Sequence, residues 1–291
     1  MKRLFGFVLL FISCAAGQPA IIVPSPPPTD SLPTQGPWKH AVVAGITMTQ
    51  IAFKDWAQGG ENALSYAINL NGKSNRDDDA TNWSNSYRLG FGQTRLGSQG
   101  LRKTDDKIDL ESVLSFIINA PIDPYASLTL KTQFASGYTY DQKTGTRTPV
   151  SKFFDPAYLT QTAGFRYKPL PQIKTRLGAG VREVITSVYR VYADDPKTTQ
   201  IEKIKVDGGF ESVTNIDFEL DENLVFAGRL ELFSAFRALD EVIVRSDNSI
   251  TAKVGKFVSV ILNIQIINDT RATARTQLKE TLSLGFIYTL I

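Results

Sequence analysis

The sequence predicts an all-β protein: an antiparallel transmembrane β-barrel of about 12 strands, preceded by an N-terminal signal peptide and a Pro-rich linker. Three features favour this fold class. Apolar and polar residues alternate with period two, the alternating runs are long, and short connections between the runs alternate with long ones.

Period-two alternation recurs throughout residues 38–291. In the last run, Leu282, Leu284 and Phe286 share one face. Thr281 and Ser283 share the other face, which is the pattern of a strand with one apolar and one polar side. The predicted strands lie at about residues 39–53, 61–73, 82–95, 106–118, 124–138, 156–168, 172–187, 202–220, 223–238, 241–254, 256–268 and 276–291.

The length of these runs favours a membrane-spanning barrel. Soluble strands usually have about five or six residues, whereas a dozen residues at a tilt near 40° rise roughly 30 Å, the thickness of a hydrocarbon core. Short connections at 119–123, 168–172, 220–223 and 255–256 alternate with longer ones such as 137–155. A soluble β-sandwich would also alternate, but here the apolar faces are rich in aromatic residues and the charges lie almost entirely opposite them.

The N-terminus predicts export. Lys2 and its basic neighbour precede an apolar run that is too short to span a bilayer and that ends in small residues near Gly17. Residues 1–17 are therefore expected to be a signal peptide. Residues 18–37, which contain seven prolines, are expected to be a periplasmic linker, and residues 38–291 the outer-membrane barrel.

Composition excludes several classes of function. Lys and Arg total 32 against 29 Asp and Glu, so no one-sided basic field indicates nucleic acid as a partner. Cys14, the one cysteine, excludes cysteine-rich metal sites; it is either removed with the signal peptide or carries lipid at the end of a loose lipobox. No metal or cofactor is expected, since Asp77, Asp78 and Asp79 lack the spacing of a calcium loop. The expected partners are outer-membrane lipid and, during biogenesis, the barrel-assembly machinery.

The polar faces carry charges that a closed barrel would direct into its lumen. The charged residues expected there are Arg88, Asp109, Glu111, Lys131, Arg166, Lys174, Arg176, Arg182, Asp217, Glu219, Arg229 and Glu231. Two interpretations stay open for them. In a water-filled lumen they line a path for small polar solutes, and in a narrow lumen they form an ion-pair network that fills the barrel.

An enzyme is not expected, and no catalytic residue is assigned. An outer-membrane hydrolase needs a histidine beside a serine nucleophile or an aspartate. The one histidine, His40, stands at the start of the first strand, and neither Ala41 nor Val42 supplies a hydroxyl. A solvated or interfacial histidine near the periplasmic rim is the better interpretation.

Four segments carry a resemblance to a known family. They are FKDWAQGGENALS at 53–65, RKTDDKIDL at 102–110, GYTY at 137–140 and SKFFDPAYL at 151–159. In order and spacing they resemble an uncharacterised Bacteroidota family, domain of unknown function 3078, which is treated as an outer-membrane barrel. The resemblance extends over nearly all of the barrel and implies a fold and a location, but no chemistry. The final SLGFIYTLI is similar to the C-terminal strand that the barrel-assembly machinery reads, although Ile291 replaces the usual aromatic end.

Two hypotheses on function follow from the sequence. The first is passive passage of small polar solutes through a charged lumen, as in a porin. The alternative is a non-conducting structural or interaction barrel that binds a partner through its external loops or its linker. A surface hydrolase has little residue support.

Overall fold

The computed structural model describes residues 34–35, 37–52, 61–118, 120–141, 144–195, 198–269 and 275–289. The predicted signal peptide, Cys14 and most of the predicted linker lie outside these residues. In the described part of the chain, no helix is long and apolar enough to cross a membrane.

Twelve long strands form a closed antiparallel barrel, which confirms the predicted fold class. We number them β1 to β12 in chain order. They span Trp38–Ile51, Ala63–Asp77, Thr81–Leu96, Arg102–Phe116, Ile122–Thr132, Ala157–Leu170, Ile173–Ile185, Ile204–Asp221, Leu224–Ala235, Ala238–Lys253, Val258–Asn268 and Gln277–Thr289. Each strand pairs with its neighbours in sequence, and β12 pairs with β1 to close the barrel.

Two small elements accompany the barrel. A two-residue strand, Thr34–Gln35, turns back and pairs with the start of β1. A hairpin of Gly137–Tyr140 and Arg147–Ser151 stands in the connection between β5 and β6. The closing pair is short: β12 and β1 pair at four described positions, whereas β7 and β8 pair at 13.

The two ends of the barrel differ in the length of their connections. At the end that we call the short-turn end, the strands are joined by residues 78–80, 117–121, 171–172, 222–223 and 254–257. At the opposite, long-loop end they are joined by residues 52–62, 97–101, 133–156, 186–203, 236–237 and 269–276. The predicted alternation of short and long connections is therefore present, with 236–237 as a brief exception.

Some strand ends differ from the sequence prediction. β2 extends to Asp77, so the turn before β3, which looked too long in the sequence, contains three residues. β5 ends at Thr132, so Phe134, which is within the predicted strand 124–138, lies in the following connection. Alternation continues in both cases, but cross-strand pairing, which the sequence does not display, decides where a strand stops.

Alternation places polar side chains inside and apolar side chains outside. On β7, Arg176 and Arg182 are buried, whereas Leu177 between them is 60% exposed. The same outward exposure is seen around the barrel for Ile46, Met48, Ile68, Leu128, Phe165, Phe210, Leu230, Ile250, Leu282, Leu284 and Phe286. The barrel is therefore inverted relative to a soluble protein, with its hydrophobic surface on the outside.

Inward-facing glycines make room for the large side chains of the lumen. Gly164 of β6 and Gly178 of β7 lie directly opposite each other. A Cβ added at Gly178 would lie 2.4 Å from the carbonyl oxygen of Ala163 and 2.7 Å from the phenol oxygen of Tyr125. Tyr125 is buried and points inwards, so its ring occupies space that a side chain at Gly178 would need.

We predict that Gly178→Ala destabilises the barrel by about 1–3 kcal/mol, because overpacking forces the backbone or Tyr125 to move. The measurement is urea unfolding of the refolded protein, followed by intrinsic fluorescence. Gly100→Ala is the control, since an added Cβ there meets nothing within 4 Å. Equal stability of the two variants would contradict this packing.

Candidate functional site: the charged lumen

An ion-pair network crosses the lumen and centres on Glu111 of β4. Its carboxylate accepts hydrogen bonds from the guanidinium groups of Arg176 on β7 and Arg229 on β9, with 2.9 Å between Arg229 Nη2 and Glu111 Oε1. The side chains of Glu111 and Arg176 are 7% and 8% exposed. Because β4, β7 and β9 are not neighbours, these contacts join separate walls of the barrel through its interior.

The network continues from Arg229 as a chain of alternating charge. Arg229 Nε donates to Glu231 Oε1 at 2.7 Å, and Arg229 Nη1 donates to the side-chain oxygen of Asn215 at 2.9 Å. Lys131 of β5 pairs with the other oxygen of Glu231. Each buried charge in this chain has a partner of opposite sign, which is the condition for placing charges away from bulk water.

Further ion pairs line the walls around this network. Arg88 and Asp109 are opposite each other on β3 and β4 and pair at 2.9 Å. Arg166 donates to Asp123 at 2.7 Å and to the side-chain oxygen of Asn82 at 2.8 Å. The contacts of Arg166 lie on the short-turn side of the network, whereas the Arg88–Asp109 pair lies on its long-loop side.

The remaining predicted lumen charges are placed differently. Arg182 is buried, and its guanidinium carbon lies 5.2 Å from the ring centre of Tyr158. Lys174, Asp217 and Glu219 are exposed and lie near the short-turn end of β7 and β8. Of the twelve predicted charges, these three therefore meet solvent while the others sit deeper in the barrel.

Several interior charges were missed from the sequence. Lys73 was taken as the end of its strand, but it points inwards from β2 and lies within electrostatic range of Asp217. Asp123, which pairs with Arg166, was assigned to a turn. Asp105 of β4 pairs with Lys279 of β12 at 3.1 Å. Lys73 follows Asn69 and Asn71 at intervals of two residues, so alternation predicts that it points inwards with them. No pattern in the sequence pairs Asp105 with Lys279, which lies far away along the chain.

His40 lies on the outer surface near the short-turn end. Its Nδ1 lies 2.8 Å from the hydroxyl of Ser74 on β2, and this hydroxyl also bonds to the phenol of Tyr87 on β3. The ring of Trp38 stacks on His40, and Trp83 packs edge-on against Trp38. The hydroxyl neighbour was missed because it comes from the adjacent strand. Ser74 is buried and bonded on both sides, so this group is an aromatic, hydrogen-bonded surface cluster.

At the long-loop end, the carboxylate of Asp106 fixes the start of the 133–156 connection. It accepts hydrogen bonds from the backbone N–H groups of Phe134 at 2.7 Å and Ala135 at 2.9 Å. Lys103 donates to the same carboxylate at 2.8 Å. Two residues of the RKTDDKIDL segment therefore anchor a loop. In the described part of the chain, no group of three or more His, Cys, Asp or Glu side chains is arranged to hold a metal.

The carboxylate of Asp155 joins two long connections. Its Oδ2 accepts hydrogen bonds from the Ser187 hydroxyl at 2.8 Å and the Val188 N–H at 2.7 Å. Burial acts to raise the pKa of Asp155, but these donors outweigh it and hold the pKa below its ordinary value. The preceding residue, Phe154, has a φ of 56°, which is uncommon for a residue other than glycine.

We predict that Glu111→Gln destabilises the barrel by about 3–5 kcal/mol, because the buried Arg176 would lose its carboxylate partner and Arg229 would keep only Glu231. Glu219→Gln is the matched control at an exposed position and should change stability by less than about 0.5 kcal/mol. Chemical unfolding of both refolded variants checks this. Similar losses in the two variants would show that Glu111 is not the centre of the network.

Taken together, the fold and the lumen define a closed twelve-stranded barrel with an apolar exterior and an ion-paired interior. A family described as Protein of unknown function (DUF3078) matches residues 48–138. The match is narrower than the resemblance seen in the sequence, since it includes RKTDDKIDL but ends before SKFFDPAYL. No curated protein matches the sequence.

Solved outer-membrane barrels are similar to this chain at low sequence identity. An outer membrane channel from Pseudomonas putida F1 is 12% identical, with a TM-score of 0.39, over 90% of this chain and 98% of that one. The translocator domain of the autotransporter NalP from Neisseria meningitidis is 10% identical, with a TM-score of 0.37, over 89% and 91%. The beta domain of the Bordetella autotransporter BrkA is 13% identical, with a TM-score of 0.31, over 87% and 98%.

Proposed function

We propose that this protein is an outer-membrane barrel whose lumen is closed by its own ion-pair network, and that it acts by binding at its long-loop end. The observation that carries this proposal is the contact of Glu111 with Arg176 and Arg229 across the interior. Of the two functions expected from the sequence, the geometry favours the non-conducting interaction barrel over passive passage of solutes.

The exposed apolar belt supports a membrane location. Leu284 and Phe286 are 63% and 64% exposed on one strand alone, and similar side chains surround the barrel. Soluble monomers rarely expose contiguous apolar patches beyond a few hundred Å². A belt of this kind becomes stable when lipid covers it, and a closed barrel leaves no strand edge unpaired in the bilayer.

The packing of the interior supports a closed lumen. A conducting lumen would hydrate its lining charges, whereas the side chains of Glu111 and Arg229 are 7% and 13% exposed. Passage of a solute would require these pairs to separate and to exchange their partners for water. A buried charge that loses its partner and gains no other costs about 3–5 kcal/mol, so the pairs oppose such an opening.

The orientation and the route to the membrane are parts of the same proposal. In outer-membrane barrels, short turns face the periplasm and long loops face outwards, so the long-loop end is assigned to the cell exterior. Export would rely on the predicted signal peptide at residues 1–17. A source in the Bacteroidota rests on the sequence resemblance alone.

Conductance across a planar lipid bilayer tests the closed lumen. We expect the refolded wild-type protein to give no steady current at moderate voltage. The double variant Arg176→Ala with Arg229→Ala should give cation-selective openings, because the carboxylates of Glu111 and Glu231 would remain in a widened lumen. Glu219→Ala is the control and should stay silent. A steady open channel in the wild type would overturn the proposal in favour of solute passage.

The lipid-facing surface gives a second prediction. Leu284→Arg should cost about 2–4 kcal/mol or block assembly, because a charge would face hydrocarbon. Lys279→Arg on the same strand is the control: it places the same side chain on the inward face, where Asp105 supplies a counter-charge, and it should be much milder. Folding into lipid vesicles, measured by heat-dependent gel mobility, compares the two. Equal effects would show that the faces of β12 are wrongly assigned.

A further inference from the structure

A cavity lies inside the barrel on the long-loop side of the network. It is lined by Thr129, Lys131, Tyr158, Thr160, Arg182, Glu211, Glu231, Leu232, Phe233, Ile243 and Arg245. These residues belong to β5 through β10, each in the half of its strand that leads to the long-loop end. Among them are three cations and two carboxylates, so the lining has a net positive charge.

Two guanidinium groups share one aromatic ring in this cavity. The Cζ atoms of Arg182 and Arg245 lie 5.2 Å and 5.4 Å from the ring centre of Tyr158. Arg182 also lies 5.5 Å from the ring centre of Phe233. Aromatic rings attract cations, but two like charges held at one ring repel each other. Asp207 lies opposite Arg182 in the register, so an anion in the cavity would act mainly on Arg245.

The carboxylates of the cavity are directed away from Arg245. Glu231 lies directly opposite Arg245 in the β9–β10 register, yet both of its oxygens bind Arg229 and Lys131. Glu211 accepts a hydrogen bond from Thr162. Within the described part of the chain, Arg245 forms no ion pair with a carboxylate, and its contact is with Tyr158. The guanidinium group of Arg245 is planar, and its N–H donors can bind both oxygens of a carboxylate at once.

The size and charge of the cavity define its ligand. The volume of the cavity, counted as the space open to the centres of water molecules, is about 40 Å³. A buried water needs about 10–15 Å³ by this measure, so the space accommodates a group of roughly three heavy atoms. Lys131 is matched by Glu231, and Arg182 lies directly opposite Asp207 in the β7–β8 register. Arg245 is therefore the cation of this lining that forms no ion pair within the described residues, and its single charge suits a monoanion better than a dianion.

We propose that this cavity binds a carboxylate group, with Arg245 as its principal ligand, Arg182 beside it, and the hydroxyl groups of Thr129, Tyr158 and Thr160 as further donors. The carboxylate belongs either to a small free acid or to the C-terminus of a peptide that enters from the long-loop end. Binding here does not require an open lumen, so it is independent of whether the barrel conducts.

Titration of the refolded protein with ¹³C-labelled acetate tests the site. Acetate replaces chloride in the buffer, so that the ionic strength stays constant. We expect saturable binding to the wild type, at least tenfold weaker binding to Arg245→Gln, and intermediate binding to Arg245→Lys. Arg147→Gln is the matched control, because Arg147 also lies over a tyrosine ring, Tyr138, but in the hairpin outside the cavity. Its acetate affinity should equal that of the wild type.

Further arms of the titration separate the sources and the alternatives. A short peptide that binds with a free C-terminus but not when amidated identifies a peptide as the source. If acetate binds and neither peptide form does, the source is a small free acid, and equal binding of both peptide forms would contradict recognition of a carboxylate. Acetate that does not saturate the wild type, binding unchanged in Arg245→Gln, or phosphate that binds more tightly than acetate would each overturn the proposal. The wild-type titration decides the first and third outcomes even if a variant does not fold.

Discussion

The barrel depends on the neutralisation of charge among the buried side chains of its interior, and Glu111, whose side chain is 7% exposed, is the centre of this neutralisation. Its carboxylate takes the positive charges of Arg176 and Arg229 from two other walls. A buried ion pair adds little net stability compared with apolar packing, but removal of one partner is costly. We infer that the pairs act mainly on the specificity of the fold, because an altered strand register would place like charges together or leave a buried charge without a partner.

The glycines of β6 and β7 are the local feature that lets this network form. Gly178 leaves the space that the phenol oxygen of the buried Tyr125 ring occupies, and Gly164, which lies opposite Tyr125 in the register, allows the close approach of the β7 backbone. The guanidinium carbon of Arg176 lies 5.8 Å from the centre of that ring. The ring thus supports Arg176 on one side while Glu111 holds it on the other. The two glycines make room, Tyr125 packs against Arg176, and Arg176 binds Glu111. Steric fit therefore determines where this electrostatic contact forms.

The alternation of apolar and polar residues predicted which face of its strand each residue occupies, but not which residue it contacts across the lumen. The inward position of Arg176 and the outward position of Leu177 follow from alternation alone, and so do the number of strands and the closed fold. The contacts of Arg229 with Glu111 depend on the stagger of the strands around the barrel, which is a property of the closed sheet. For the same reason, the hydroxyl of Ser74 beside His40 could not be found from neighbours in sequence. Arg245 was missed because the polar residues that follow it weaken the alternation of β10.

The two ends of the lumen are not equivalent, and this asymmetry limits what the barrel can do. On the short-turn side, Lys174 and Asp217 meet solvent just beyond the ion pairs. On the long-loop side, the carboxylates of Asp106 and Asp155 hold the connections in place above a cavity lined by Tyr158. If the network stays closed, a molecule that enters from the long-loop side must leave by the same side. A cavity with one opening can hold a ligand but cannot pass it to the other side of the membrane. Binding energy gained in the cavity does not carry the ligand through the closed ion-pair network. Within the described residues, the lumen therefore has solvent-exposed charges at one end and a cavity at the other, and the ion pairs of Glu111 lie between them.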